Sequence, residues 1–242
     1  MNPPATSDLF RALDETWPPK RFVDQPPWRL REGAGGGQRV SAATASGSIT
    51  GHQVVEAEAG MRALNQHPLF MLKPGQEKMD QELELKCYDV VDPVAIYLAP
   101  TNDIATFCST DIEAEWPPRE ATLCLWSDAG IGSGRIAVMK RVPGFKTALA
   151  SKSGDDVLGA AFIAISGDIA MLHALEVSPV ARKRGIGTKI MKAAANWALE
   201  NGAFWLSLMV TRANVPANSL YRGLGMKEVG QYHFRRAAQA KQ

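Results

Sequence analysis

Cysteine is scarce in this chain of 242 residues: there are three, Cys87, Cys108 and Cys124. They are widely spaced, no Cys-x-x-Cys pair occurs, and an odd count argues against a disulfide framework. Reduced thiols are therefore expected, and with them a cytoplasmic setting. No His/Cys cluster has metal-ligand spacing, so no metal is expected. Charge of one sign is also lacking. A net charge of +2 offers no field for a phosphate backbone, so nucleic acid is not an expected partner. No uncharged apolar run reaches the ~20 residues of a membrane span. The first residues, Met1-Asn-Pro-Pro-Ala-Thr-Ser-Asp8, lack the basic region and apolar core of a signal peptide, and no membrane partner is expected. The remainder, 45% apolar and 21% charged, is ordinary globular composition, long enough for one large domain or two small ones.

Periodicity and breaks give the elements. Ser7-Asp8 starts a helix whose Leu9, Phe10 and Leu13 share a face, and Trp17-Pro18-Pro19 stops it. Residues 28–31 alternate as a strand. The glycine-rich stretch Glu32-Gly33-Ala34-Gly35-Gly36-Gly37-Gln38 is not Gly-x-Gly-x-x-Gly, because Gln38 stands at the last position. Nor does it end in the Gly-Lys-Ser/Thr of a P-loop, so it reads as a turn with a return strand over 39–44. Helices follow at 54–64, 77–86, 119–126 and 134–140, and strands at 68–72, 90–98, 145–151, 157–165 and 169–177. Helix 188–201, strand 204–211, helix 216–224 and strand 227–234 complete the chain. Strands alternating with helices predict an α/β fold with a mixed sheet. A boundary is expected within 99–118, dividing the chain into 1–104 and 105–242.

The two parts share a pattern. Leu72 to Tyr88 and Val210 to Met226 are each 16 residues apart, and each interval runs from strand through helix to strand. The segment 40–64 parallels 177–199 more loosely. In the first part the loop 42–50 lacks arginines and paired glycines, and Leu83 lies one register from the place of Tyr221. Chance is the competing explanation, since strand–helix–strand units of this length are common.

The most informative stretch is Arg182-Lys183-Arg184-Gly185-Ile186-Gly187. It follows an apolar strand and a Ser178-Pro179 break, and it opens a helix. Backbone N–H groups and the helix dipole there face an anion, glycine lets the backbone come close, and Arg182 and Arg184 add charge. A nucleotide-bearing cofactor is expected at this point. The run Val177-Ser178-Pro179-Val-Ala-Arg182-Lys-Arg-Gly185-Ile-Gly187 resembles the acetyl-CoA loop of the GNAT N-acetyltransferases. A second block, Asn214-Val-Pro-Ala217-Asn218-Ser219-Leu220-Tyr221-Arg222-Gly223-Leu224-Gly225-Met226, resembles that family's Asn, Ala, Leu-Tyr, Gly-Phe segment, with Met226 in place of the aromatic. The resemblance extends over residues 157–235.

The resemblance implies the GNAT acyl-CoA N-acyltransferase fold and acetyl transfer from acetyl-CoA to a primary amine by direct attack in a ternary complex. It implies a catalytic domain at 105–242 and, with the shared pattern, a degenerate GNAT-like copy at 1–104 without a cofactor site. Arg182, Lys183, Arg184, Gly185, Ile186, Gly187 and Thr188 would hold the diphosphate. Leu175, Val177, Asn214, Ala217, Ser219 and Tyr221 would lie along the rest of the coenzyme, with the Val177 N–H polarising the acetyl carbonyl. Tyr221 would be the general acid; a core tyrosine packed on Leu220 and Leu224 is the alternative. Asn214 doubles as a helix cap.

For the base, side-chain alternation puts His173, Leu175 and Val177 on one face of the strand and Glu176 on the other, unless a bulge reorients it. His173 titrates near neutrality and ranks first, Glu176 second, with a core histidine as the competing role. The acceptor is a small-molecule or peptide amine, and a homodimer is left open. A non-catalytic acyl-CoA-binding or regulatory module, or a transferase of a larger acyl group, are the alternative functions.

Overall fold

Residues whose periodicity reads as helix and strand assemble around one long twisted sheet. The computed structural model describes residues 2–47, 49–105 and 112–237; Cys108 lies outside them. In chain order the elements are α1 (Thr6–Thr16), β1 (Arg21–Gln25), β2 (Trp28–Glu32), a 3-10 turn at Gln38–Val40, β3 (Thr44–Ala45), α2 (Gly51–Ala63), β4 (Leu69–Leu72), α3 (Glu77–Leu85), β5 (Tyr88–Pro100) and α4 (Thr101–Ile104). Then come β6 (Ile112–Glu115), α5 (Glu120–Asp128), α6 (Ser133–Arg141), β7 (Lys146–Ser153), β8 (Asp156–Ser166), β9 (Ile169–Val177), a second 3-10 turn at Pro179–Ala181, α7 (Ile186–Glu200), β10 (Trp205–Thr211), α8 (Val215–Gly223) and β11 (Lys227–Ala237).

Eight strands form the main sheet in the order β4-β11-β5-β10-β9-β8-β7-β6. Within it β9 and β10 are parallel and the other pairs antiparallel. The sheet β1-β2-β3 continues it through a parallel bridge from Ala43 to Phe70. β5, from the first part of the chain, is hydrogen-bonded between β10 and β11 of the second, so residues of both parts share one sheet.

One face of the sheet packs Leu9, Phe10 and Leu13 of α1 with Trp126, Val138 and Met139 from α5 and α6. The other face holds two clusters. Ile186, Ile190, Met191, Ala194, Ala195 and Ala198 of α7 lie along one stripe over β8–β10. Val54, Ala57, Met61, Met79 and Leu83 of α2 and α3 cover Phe70 and Leu72 of β4.

The strand registers follow a rule. Val210 lies opposite Ala95 and Leu72 opposite His233, positions related by exchanging residues 138 apart. The same exchange relates Met209–Ile96 to Met71–Phe234 and Leu208–Tyr97 to Phe70–Arg235. It also relates two side-chain contacts: Tyr97 OH donates to Asn218 Oδ1 at 3.1 Å, and Arg235 Nε donates to Asp80 Oδ1 at 2.7 Å. By this rule Leu83 stands at the position of Tyr221, not one register away.

The glycine-rich stretch differs from its sequence reading. The return strand expected over 39–44 shrinks to β3, which pairs with β2 only through Trp28–Ala45 and Arg29–Thr44, and Gln38–Val40 is a 3-10 turn. β2 finds its longer partner in β1, which polar residues concealed. The glycines serve close packing. A Cβ on Gly134 of α6 would lie 2.3 Å from the Gly35 carbonyl oxygen, and one on Gly36 would lie 2.5 Å from Val138 Cγ2. α6 therefore docks directly on this loop.

Candidate active site

β9 and β10 are paired from Ile169–Trp205 to Leu172–Leu208, and beyond that point each strand turns to its other neighbour. The wedge begins at a bulge. Three steps of β9, Glu176 to His173, face two of β8, Ala160 to Phe162, and Ala174 takes φ 52°. The Trp126 indole, fully buried in α5, donates to the Ala174 carbonyl at 3.0 Å and so fixes the bulge. Strict alternation is thereby broken. His173 faces α1, Leu175 packs with the α7 cluster, and Glu176 lines the wedge.

Just past this bulge, at the C-terminal end of β9, the chain turns through Pro179–Ala181 into α7. Gly185 is the N-cap at φ 78°, a left-handed conformation that favours glycine. Arg182, Lys183 and Arg184 are exposed, and Arg182 Nε donates to the Val177 carbonyl at 3.3 Å. The first N–H groups of a helix have no acceptor in a preceding turn, and α7 is 15 residues long, so its N-terminus carries a full dipole. Gly187 brings the helix against α8: a Cβ there would meet Leu220 Cδ2 at 3.0 Å. Ile186 is buried, and a Cβ on Gly159 would lie 2.8 Å from its Cγ2, so the helix start is pinned to β8. Exposed cations, a glycine-opened helix start and an adjacent wedge fit a nucleotide diphosphate with its arm laid between β9 and β10.

A cavity of about 430 Å³ opens where the strands part. Tyr221 of α8 and Glu176 both line it. Burial pushes the Tyr221 phenol well above its ordinary range, and the Glu176 carboxylate adds to the shift. Burial likewise raises Glu176 above its usual 4.5, opposed by the guanidiniums of Arg182 and Arg135. Asn214 lines the cavity and caps α8, its Oδ1 accepting from the Ala217 N–H at 3.2 Å. Asn218, which sequence reasoning passed over, ties α8 to the wedge: its Nδ2 donates to the carbonyls of Thr211 at 2.9 Å and Asn214 at 2.7 Å. Ala217 is half-buried, and Ser219 is exposed on the outer side of α8.

His173, the first-ranked base, lines the same cavity from a buried position. It is 4% exposed and stacks on Trp17 at 4.8 Å. The Thr16 hydroxyl donates its single proton to the Ala12 carbonyl at 2.6 Å, so at 2.9 Å it accepts from the His173 Nε2–H. Burial, and secondarily the Arg39 cation, hold His173 well below its ordinary pKa of 6.5. The imidazole is therefore neutral, with its Nε2 proton engaged, its buried Nδ1 without a partner and its basicity depressed. A histidine whose folded pKa lies below its unfolded one binds its proton first when the chain unfolds. Stability is therefore lost as pH drops below about 6.5. The non-titrating His173→Asn is expected to lessen that acid-side loss in thermal unfolding between about pH 7 and 5. An unchanged slope would contradict the neutral assignment.

The far wall of the cavity comes from residues that carried no motif. Trp17, Gly36, Gly37, Gln38, Arg39 and Asp92 belong to the first part of the chain, and Ile131 and Arg135 to the segment around α6. Arg39 crosses the wedge, donating to the Met209 carbonyl at 2.5 Å and the Tyr232 hydroxyl at 3.1 Å. Gln38 Nε2 donates to Asp92 at 2.8 Å. Only the glycine run hinted at a special role here.

Comparison with known proteins bears on the family and the fold. The family model described as the acetyltransferase (GNAT) family matches residues 105–226. The uncharacterized N-acetyltransferase YobR of Bacillus subtilis (strain 168) is 22% identical over 238 residues, covering 94% of this chain and 96% of its own. A streptothricin acetyltransferase of Streptomyces lavendulae is 45% identical over 56 residues, 23% of this chain and 30% of that protein. Among solved structures, a GCN5-related N-acetyltransferase from Kribbella flavida has a TM-score of 0.69 at 16% identity, covering 97% of this chain and 96% of its own. That last likeness is one of fold.

Proposed function

This chain belongs to the acetyltransferase (GNAT) family, and from that premise we propose that it transfers an acetyl group from acetyl-CoA to a primary amine within a ternary complex. Bound acetyl-CoA would supply the thioester. The chain supplies the rest. Arg182, Lys183, Arg184 and the amides of Gly185 to Thr188 hold the diphosphate, while Leu175, Val177, Asn214 and Ala217 border the path of the arm. Glu176 takes a proton from the amine as the new N–C bond forms. Tyr221 gives a proton to the sulfur as the C–S bond breaks. The observation that carries this reading is the meeting of Glu176 and Tyr221 in one cavity, where burial raises the carboxyl above its usual 4.5 and keeps the phenol protonated. The 45% identity with a streptothricin acetyltransferase supports acetyl as the group carried.

Residues 105–242 are the proposed catalytic part, and 1–104 a degenerate copy that builds the acceptor wall and holds no coenzyme. The register rule linking residues 138 apart supports a duplication. At the place of Tyr221 the first part has Leu83, fully buried and unable to donate a proton.

Thiol release from acetyl-CoA over a panel of primary amines tests the activity. Release is expected only with an amine present and with an equal yield of acetylated product; coenzyme binding without release on any amine would favour a regulatory module. Tyr221→Phe is expected to lower kcat by ~10²-fold, the low end for proton transfer, because a thiol of pKa ~8.5 is a good leaving group. Affinity for CoA should hardly change. Unaltered kcat would remove Tyr221 from the chemistry.

A further inference from the structure

The acceptor cavity carries two guanidiniums and two carboxylates at its wall, and their bonding sorts them. Arg39 is engaged by the Met209 carbonyl and the Tyr232 hydroxyl. Asp92 is engaged by Gln38. The side chains of Arg135 and Glu176 have neither a hydrogen bond nor an ion pair among the described residues. They sense each other, because the Arg135 cation lowers the Glu176 pKa. Yet no Arg135–Glu176 ion pair forms within the 4.0 Å limit of a salt bridge. One uncommitted cation and one uncommitted anion thus face the same cavity with a gap between them. Arg182, the other cation acting on Glu176, belongs to the loop assigned to the diphosphate.

The lining also includes the apolar side chains of Trp17, Val94, Ile131, Met209 and Phe234. The docking of α6 on Gly35 positions Arg135. Its Nε lies 3.4 Å from where a Cβ on Gly37 would stand, so the guanidinium rests across a residue that has no side chain. Guanidinium is also the cation suited to bidentate recognition of a carboxylate.

We propose that the acceptor is an amino acid, or a small amine bearing its own carboxylate, with the carboxylate on Arg135, the amine on Glu176 and an apolar side chain against Trp17 and Ile131. This rests on the acetyltransferase reading above. A zwitterion of this kind neutralises both uncommitted charges at once, whereas a simple amine leaves Arg135 without a counter-charge in the cavity.

The test compares L-phenylalanine with L-phenylalaninamide and phenethylamine under saturating acetyl-CoA. The amide keeps the shape, loses the negative charge and has the amine that is easier to deprotonate, so chemistry alone favours it. Wild type is expected to prefer the acid by ~10- to 100-fold in kcat/KM, the range of a charge-assisted pair. Arg135→Ala should bring the ratio of acid to amide to near one, and Arg135→Glu should invert it. Calorimetric titration of L-phenylalanine into the CoA-bound protein should show the same ~10- to 100-fold loss of affinity in Arg135→Ala without any turnover. Arg135 is exposed, so these variants should fold. If the amide and the amine are acetylated as well as the acid, or the ratio survives Arg135→Ala, the carboxylate assignment is overturned while the transferase reading stands. If none of the three is acetylated but another amine of the panel is, this inference fails alone; if no amine of the panel is acetylated with CoA bound, the transferase reading fails and takes this inference with it.

Discussion

Arg182→Ala combined with Gly185→Glu is expected to leave a folded protein with no measurable affinity for coenzyme A. Each change acts at the helix start. Arg182 is exposed and supplies a cation for the diphosphate; removing a charge-assisted contact of this kind costs ~1.5–3 kcal/mol. Gly185 holds φ 78°, and a side chain there pays ~1–2 kcal/mol of left-handed strain that the helix start can relieve only by changing shape. The new carboxylate also stands where phosphate charge would lie. Together these amount to ~10²- to 10⁴-fold in Kd. The fold should survive, because a Cβ at Gly185 meets no atom within 4 Å. Calorimetry reads the loss and circular dichroism the fold. Wild-type affinity in this variant would move the coenzyme away from α7.

Glu176→Gln is expected to lower kcat/KM by ~10²- to 10⁴-fold and to change its pH profile. An ammonium cannot attack, and the amide of glutamine cannot take its proton. In the wild type the base must be ionised, and burial has raised its pKa above 4.5. Activity should therefore fall as pH drops through that raised value. In the variant this acid limb should vanish, leaving a low rate that climbs with pH as free amine accumulates. An unchanged limb in Glu176→Gln would assign it to another group. His173 is a poor substitute, since its imidazole is stacked on Trp17 and bonded to Thr16.

The helix starts proposed to hold the coenzyme were legible because their parts are contiguous. Arg182 to Gly187 and Asn214 to Gly225 each form a single local turn or helix start, and local structure survives in a linear sequence. Most helices and strands were legible for the same reason, including α1, whose Leu9, Phe10 and Leu13 share one buried face. The acceptor side was not. Gly37, Arg39, Asp92 and Arg135 are ordinary residues until β5 inserts between β10 and β11 and α6 docks on Gly35. The placing of His173 and Glu176 relative to the cavity turned on one residue. Ala174 adopts φ 52° because the Trp126 indole holds its carbonyl, and nothing in the string Leu172-His173-Ala174-Leu175 announces a bulge. β6 escaped notice because its four residues, Ile112 to Glu115, are half charged.

Diffraction from crystals grown with CoA would test the central claim most directly. One coenzyme per chain should appear, its diphosphate on the amides that open α7 and its sulfur end beside Tyr221 and Glu176. Density for the coenzyme against the Gly33–Arg39 loop or the α2–α3 face, or two coenzymes per chain, would contradict it.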